Sequence, residues 1–334
     1  MPLKNALLEA LLSSDGESLS GSVLASRLGV SRAAVWKAID QLREEGYVIE
    51  AGTNRGYRLI SENDRLSVPA IRRRRTRTGL GADIRIYPEL TSTNDKAKEL
   101  ANEGAADGTV ILADSQSAGK GRRGRSFFSP PGSGLYLSVI LRPRLTGELA
   151  SRITSAAAVA AARAVEREAA LPEGTVGIKW VNDLYIRDRK ICGILTEAAL
   201  DLESGLLDYA VLGIGINTTP ISFPEELRPI ATSVSNECGH PVSRSALAAC
   251  LLDELERELP GIGEAPPCRF LEESRRRSVV VGREVLVTKG EATFPARAVE
   301  IDDEGGLVVE TAAGRQTLRS GEVSVHLSPD GNIQ

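Results

Sequence analysis

The chain has 334 residues, 42% of them hydrophobic and 26% charged, with a formal net charge of −4. That is the balance of a folded protein with room for two or three domains, and it excludes fibrous and disordered classes. No apolar run approaches the roughly 18 residues a membrane helix needs, and Met1 to Ala6 carry no apolar signal core, so a cytoplasmic protein with no membrane partner is expected.

Residues 4–60 read as three helices and a hairpin. Leu7, Leu8, Leu11 and Leu12 stripe the first helix, Ser20 and Gly21 open the second, and Gly29 ends it. Ser31 caps a third helix running to about Glu45, with Val35, Ile39 and Leu42 toward the core. At 100° per residue, Ala33, Lys37 and Asp40 point the other way, with Trp36 on the flank. Tyr47–Glu50 and Gly56–Ile60 then pair across Thr53-Asn54-Arg55. This order is the winged helix-turn-helix pattern, and it marks Ser31, Arg32, Ala33, Trp36, Lys37 and Arg55 as DNA-contacting candidates. The bland alternative for that face is ordinary helix surface. Charge agrees with DNA: residues 1–80 carry 13 Lys and Arg against 9 Asp and Glu, the remainder 28 against 36.

Residues 61–80 hold Arg72–Arg75 and Arg77 without a core pattern, which reads as a solvated linker or helix face, the alternative being a phosphate-contacting arm. From 83 strands and helices alternate. Strands are expected at Ile84–Tyr87, Thr109–Ala113, Leu135–Leu141, Val176–Trp180, Asp183–Ile186, Ile191–Glu197 and Asp208–Ile216. Helices are expected at 92–102, 150–169, 244–258 and 264–275. After 279 come short β runs, Val279–Val281 through Val323–His326, separated by turn signals such as Asp302–Gly306, as in a small barrel of about five strands. The domains are therefore 1–62, a linker 63–80, 81–276 and 277–330.

Two stretches carry chemistry. Gln116–Arg125 is a loop dense in glycine and cation, suited to polyphosphate because glycine lets backbone N–H groups approach closely. Lys179-Trp180-Val181-Asn182-Asp183 puts a cation and a polar pair at a strand end, where an ammonium can offset charge building on an α-phosphate. Cys192, Cys238, Cys250 and Cys268 show no C-x-x-C spacing, and His240 and His326 are the only histidines. A disulfide framework, a His-ligated metal and a Ser–His hydrolase are thereby disfavoured, and no protein metal ligands are assigned.

In that order, Ser92-Thr93-Asn94, the Gln116 loop, Ser129-Pro130 with Gly132, Lys179–Asp183, Lys190–Leu195, Gly213–Asn217 and Gly321–Ser324 resemble the bifunctional biotin–protein ligases, also called biotin operon repressors. The resemblance implies an α+β chain: an N-terminal winged helix-turn-helix, a central mixed-sheet domain of class II synthetase-like biotin/lipoate ligase type, and a C-terminal small Src-homology-3-like β-barrel. It implies that biotin and ATP, with Mg²⁺, give biotinyl-5′-AMP, and that a lysine of the biotin carboxyl carrier protein of acetyl-CoA carboxylase then takes the biotin. It also implies an adenylate-loaded homodimer on operator DNA that represses biotin synthesis genes.

Carried onto this chain, the resemblance makes Lys179 and Arg122 catalytic. Biotin falls to Ser92, Thr93, Asn94, Gln116, Lys120, Gly121, Arg122 and Lys179. The nucleotide falls to Lys120, Arg122, Phe127, Lys179, Asn182, Asp183 and Asn217. Asn182-Asp183 could simply make a turn between strands, but a share in nucleotide or Mg²⁺ contact is favoured for them, and Asn217 is read the same way against a strand-end turn. Lys120, Phe127 and Val181 depart from the arginine, tryptophan and proline common in the family. The alternatives are a ligase whose N-terminal domain no longer represses, and a ligase for lipoate or another acyl acid on the same fold.

Overall fold

The computed structural model describes residues 3–52, 56–61, 64–201, 203–220, 222–263, 268–289, 292–319 and 322–325. Arg55, Thr53, Asn54, Gly321 and His326 lie outside them. Two compact units result, one from residues up to Thr76 with Ser243–Ala249, the other from Arg77–Val242 and Cys250 onward.

In the first unit α1 (Leu3–Leu12), α2 (Gly21–Leu28) and α3 (Arg32–Glu44) precede the antiparallel pair β1 (Val48–Gly52) and β2 (Gly56–Ser61). The caps are those the sequence predicts. Ser20 and Ser31 accept hydrogen bonds from Val23 N and Ala34 N, and Gly29 ends α2 with φ 66°, a left-handed conformation that costs glycine little. Leu7, Leu8, Leu11, Leu24, Val35, Ile39 and Leu42 are fully buried together. Each contributes about 1.5–3 kcal/mol, far more than exposed pairs such as Arg58–Glu50, worth about 0–1 kcal/mol.

The stretch 63–80 carries its arginines Arg72–Arg74 on an exposed helix face, one of the readings of that run, but also buries a short apolar stretch not expected from the sequence. It contains α4 (Val68–Arg74), capped by Ser67 and burying Pro69, Ala70 and Ile71. The apolar stretch is too short to show a period, so the arginines masked it. The same unit takes in the start of a later helix, where Arg244 Nε donates to Asp64 Oδ2 (2.9 Å) and Ser245 Oγ donates to Arg65 O (3.1 Å).

The second unit centres on a seven-stranded mixed sheet. Its strands are β3 (Ile84–Leu90), β4 (Val110–Gln116), β5 (Gly134–Leu141), β6 (Val176–Lys179), β7 (Asp183–Ile186), β8 (Arg189–Leu200) and β9 (Leu207–Asn217), in the order β3-β4-β5-β9-β8-β7-β6. Only β3 and β4 pair in parallel. Helix α5 (Thr93–Asn102) packs Ala97, Leu100 and Ala101 against Ile111, Ile140 and Val211. The alanine-rich α6 (Ala150–Glu168) lies against β6 and β8 and is almost wholly buried, since small side chains let it approach the sheet closely. Helix α7 (Val234–Cys238) is too short to announce itself, and α8 (Arg244–Glu258) and α9 (Arg269–Arg276) follow.

Five antiparallel strands close the chain: β10 (Glu284–Lys289), β11 (Ala292–Ile301), β12 (Leu307–Thr311), β13 (Gly314–Leu318) and β14 (Glu322–Val325), ordered β13-β12-β11-β10-β14. Val279–Val281 is not a strand. Val280 is instead buried in the core of this sheet, and only Ser278 bridges to Ile178. No helix among the described residues is long and apolar enough to cross a membrane.

Candidate active site

A cavity of about 420 Å³ is lined by every residue the sequence assigned to biotin or nucleotide. Sheet pairing explains the gathering. Leu90 at the end of β3 pairs with Gln116 at the end of β4, which sets Ser92 and Thr93 beside Gln116. Strands β8 and β9 run beneath, with Gly193 opposite Gly215 and Leu195 opposite Gly213.

At the polar end, Thr93 donates through its N–H (2.8 Å) and hydroxyl (3.1 Å) to Gln116 Oε1, and Gln116 Nε2 donates to Ser129 Oγ (2.9 Å). Ser92 occupies the N-cap position of α5 but makes no capping bond, which leaves its hydroxyl for another partner. Asn94 is buried. Its Nδ2 donates to Glu197 Oε2 (2.8 Å) and Leu195 O (3.3 Å), and its Oδ1 accepts from Ser138 Oγ (2.7 Å).

The glycine-rich loop folds back on itself. Phe127 N donates to Gly119 O (2.8 Å) and Gly121 N to Arg125 O (2.7 Å). A side chain at 119 would put Cβ 2.4 Å from Phe127 O, so only glycine permits this closure. Arg122 Nη1 donates to Asn182 Oδ1 (3.2 Å), and Lys120 Nζ to Asp95 Oδ1 (2.6 Å). Asp95 is held below the usual carboxylate range: burial raises it, but hydrogen bonds from Lys120 and Lys98 outweigh that. Phe127 lies over the β8–β9 floor, where a Cβ on Gly215 would stand 2.7 Å from its ring, and it meets Tyr136 edge-on with ring centroids 6.4 Å apart.

Besides Lys120, two lysines reach the cavity. Lys179 Nζ sits 5.6 Å from the centre of the Tyr185 ring. Lys190 Nζ lies 2.7 Å from Asp183 Oδ1, an ion pair outside hydrogen-bond alignment. Asn182 Nδ2 donates to Ile194 O (3.0 Å), and Asn217 Nδ2 to Thr232 O (3.1 Å). The Trp180–Val181 peptide bond is cis.

Sequence reasoning used Lys190 only as a motif anchor and missed it as a lining cation; its place two residues beyond a hairpin tip and three before Gly193 was the available signal. Phe223, Leu227 and Ile230, which form an apolar wall, lie in an aperiodic stretch that gave none. Among the described residues no three or more His, Cys, Asp or Glu gather as a metal site. In the first unit, Ser31, Arg32, Ala33, Trp36 and Lys37 are all exposed along the start of α3, whereas Arg55 falls outside the described residues.

A ligase-type mixed sheet carrying this cavity, in one chain with a helix-turn-helix unit, defines the class. Residues 87–217 match the biotin/lipoate A/B protein ligase family, 4–58 an HTH domain and 280–325 the biotin protein ligase C-terminal domain. The chain belongs to the biotin–protein ligases, in the form that carries an N-terminal HTH domain. It is 36% identical to the bifunctional ligase/repressor BirA of Bacillus subtilis, covering 97% of this chain and 98% of that one. It is 32% identical to the biotin–[acetyl-CoA-carboxylase] ligase of Mycobacterium tuberculosis, over 80% of this chain and all of that one. The structure of a biotin protein ligase from Aquifex aeolicus in complex with biotin and ATP superposes with a TM-score of 0.63 at 27% identity, covering 73% of this chain and 99% of that one.

Proposed function

We propose that this chain activates biotin with ATP in the cavity beneath the glycine-rich loop and transfers it to a lysine of the biotin carboxyl carrier protein of acetyl-CoA carboxylase. In the first step a biotin carboxylate oxygen bonds to the α-phosphorus as the bond to the β-phosphate bridge breaks, giving biotinyl-5′-AMP and pyrophosphate. In the second, the carrier amine attacks the acyl carbon and AMP leaves with the carboxylate oxygen.

The observation that carries this reading is the convergence of Lys179, Lys190 and Arg122 on one cavity with the Ser92–Thr93–Gln116 cluster. Two anions must meet, and their repulsion is a large part of the barrier. Cations fixed beside the meeting point lower it by several kcal/mol. The cluster supplies donors and acceptors for a cyclic urea. Phe127 and the wall of Phe223, Leu227 and Ile230 shield a mixed anhydride from water. Asn182, Asp183 and Asn217 hold the nucleotide side, with Lys120 and Gly121 along the loop. ATP enters as its Mg²⁺ complex. Asp183, the one carboxylate among the described residues of the lining, would stand beside that ion, next to Lys190 Nζ at 2.7 Å.

The exposed face of α3 reads operator DNA, and two copies are needed because one winged helix covers one half-site. The adenylate-loaded homodimer is the repressing form. Incubation with biotin, ATP, Mg²⁺ and a biotin acceptor domain tests the enzymatic reading: the acceptor should gain one biotinyl mass. Equal or better transfer of lipoate would assign the other acid.

A further inference from the structure

Asn94 lines the cavity, yet its amide is spoken for. Glu197 Oε2 and Leu195 O both accept from Nδ2, at 2.8 and 3.3 Å. A carboxylate paired with an ammonium accepts and does not donate, and Glu197 is so paired: Lys98 Nζ lies 2.8 Å from its other oxygen. The amide nitrogen of Asn94 must therefore face Glu197, which turns Oδ1 toward Gly213 and Ser138. Gly213 makes room for it, since a Cβ there would stand 2.1 Å from Oδ1. Ser138 uses one lone pair of that oxygen and leaves the second.

From this we infer that Glu197 is a specificity-determining positioning residue. By fixing the orientation of the Asn94 amide it presents an acceptor, not a donor, to the acid that enters the cavity. An acceptor there suits a ring N–H, as in a cyclic urea, and offers nothing to a disulfide ring. Lys98 serves by holding the Glu197 carboxylate in place through its other oxygen. The inference rests on the biotin-ligase reading and deepens it.

The test compares the full-length wild type with Glu197→Ala, Glu197→Gln and Lys98→Ala. Adenylate formation is followed separately against biotin, ATP and lipoate. The wild type must first form biotinyl-AMP; if it does not, the ligase reading fails before this one is reached. Given that activity, Glu197→Ala should raise KM for biotin about tenfold, the size of one well-placed hydrogen bond lost. It should leave KM for ATP and kcat near wild type, and it should narrow the preference for biotin over lipoate by the same factor. Glu197→Gln keeps an acceptor but also offers a donor, so its biotin KM should fall between the two. Lys98→Ala should give a smaller rise of the same kind. Unchanged biotin KM and biotin-to-lipoate preference in a folded Glu197→Ala protein would overturn the inference. So would a loss falling equally on biotin, ATP and kcat, which would mark Glu197 as generally structural. Should Glu197→Ala not fold, Glu197→Gln and Lys98→Ala carry the test, and wild-type preference in both would refute it.

Discussion

Trp180 donates its indole N–H to the carbonyl of Gly305, 3.0 Å away, and so the residue next to Lys179 is buried among Val280, Val285 and Leu307 of the C-terminal sheet. The end of β6 is thus anchored from outside the central sheet. Trp180→Phe keeps most of the burial and removes the donor. It should cost about 1 kcal/mol of stability in urea unfolding and lower kcat for adenylate formation. Unaltered kcat in that variant would mean that Lys179 is placed by the central sheet alone.

Lys179→Ala and Lys190→Ala should each slow adenylate formation at least about tenfold, roughly 1.4 kcal/mol, with the fold intact by circular dichroism. The double substitution should cost less than the two losses combined if both ammonium groups serve the same pair of anions. Pyrophosphate release measures all three. A lysine whose removal leaves turnover near wild type has no part in the mechanism.

Arg122→Gly removes the guanidinium that joins the loop to Asn182. Biotinyl-AMP should then escape, and because the anhydride needs no enzyme to acylate amines, bystander proteins should become biotinylated. A streptavidin blot of a mixed lysate reads this directly; labelling confined to the acceptor would remove Arg122 from the retention of adenylate.

Lys37→Ala should weaken operator binding and leave biotin transfer unchanged, since Lys37 sits on the exposed face of α3 in the first unit. A single cation to phosphate lost should reduce the salt dependence of binding by about one ion. Ultracentrifugation of the adenylate-bound protein should find dimers at concentrations that fill the operator. Monomers there would end the dimer model, and normal binding by Lys37→Ala would end the assignment of the reading face.

Glu273 gives a pH signature. Its carboxyl is held below the usual range: burial raises it, and hydrogen bonds from Arg276 and Arg277 outweigh that. Arg277, itself fully buried, also donates to Glu166 Oε1 (2.6 Å). A depressed carboxyl contributes stability that is present above the ordinary carboxylate range and lost as pH falls through its lowered value. Glu273→Gln should therefore be less stable than wild type at neutral pH, by about 1.5–3 kcal/mol, the worth of a hydrogen bond to a charged group, and the gap should close in acid. A gap constant from pH 7 to pH 3 would refute the ionic account.

The legibility of this fold in the sequence follows segment length and local chemistry. Leucine stripes and serine caps announced α1 to α3 because each signal lies within one or two turns. The central alternation showed because the strands are buried β-branched runs. Short α4 and α7 escaped, being under two periods long, and Val279–Val281 misled because a valine run serves a core loop as well as a strand. Site residues showed wherever they sit in dense local motifs. The commitment of Asn94 to Glu197 did not, because the two are 103 positions apart and nothing local marks their meeting.

The glycines at 193, 213 and 215 leave the middle of the β8–β9 floor bare, so Asn94 from α5 and Phe127 from the loop can lie directly on it. A lineage drifting toward a different acid would find its useful substitutions on α5 and the loop, where Asn94 and Phe127 stand, whereas a methyl added at Gly213 would displace Asn94 and one at Gly215 would displace Phe127. Mutational libraries aimed at new acyl substrates should accordingly leave Gly213 and Gly215 untouched.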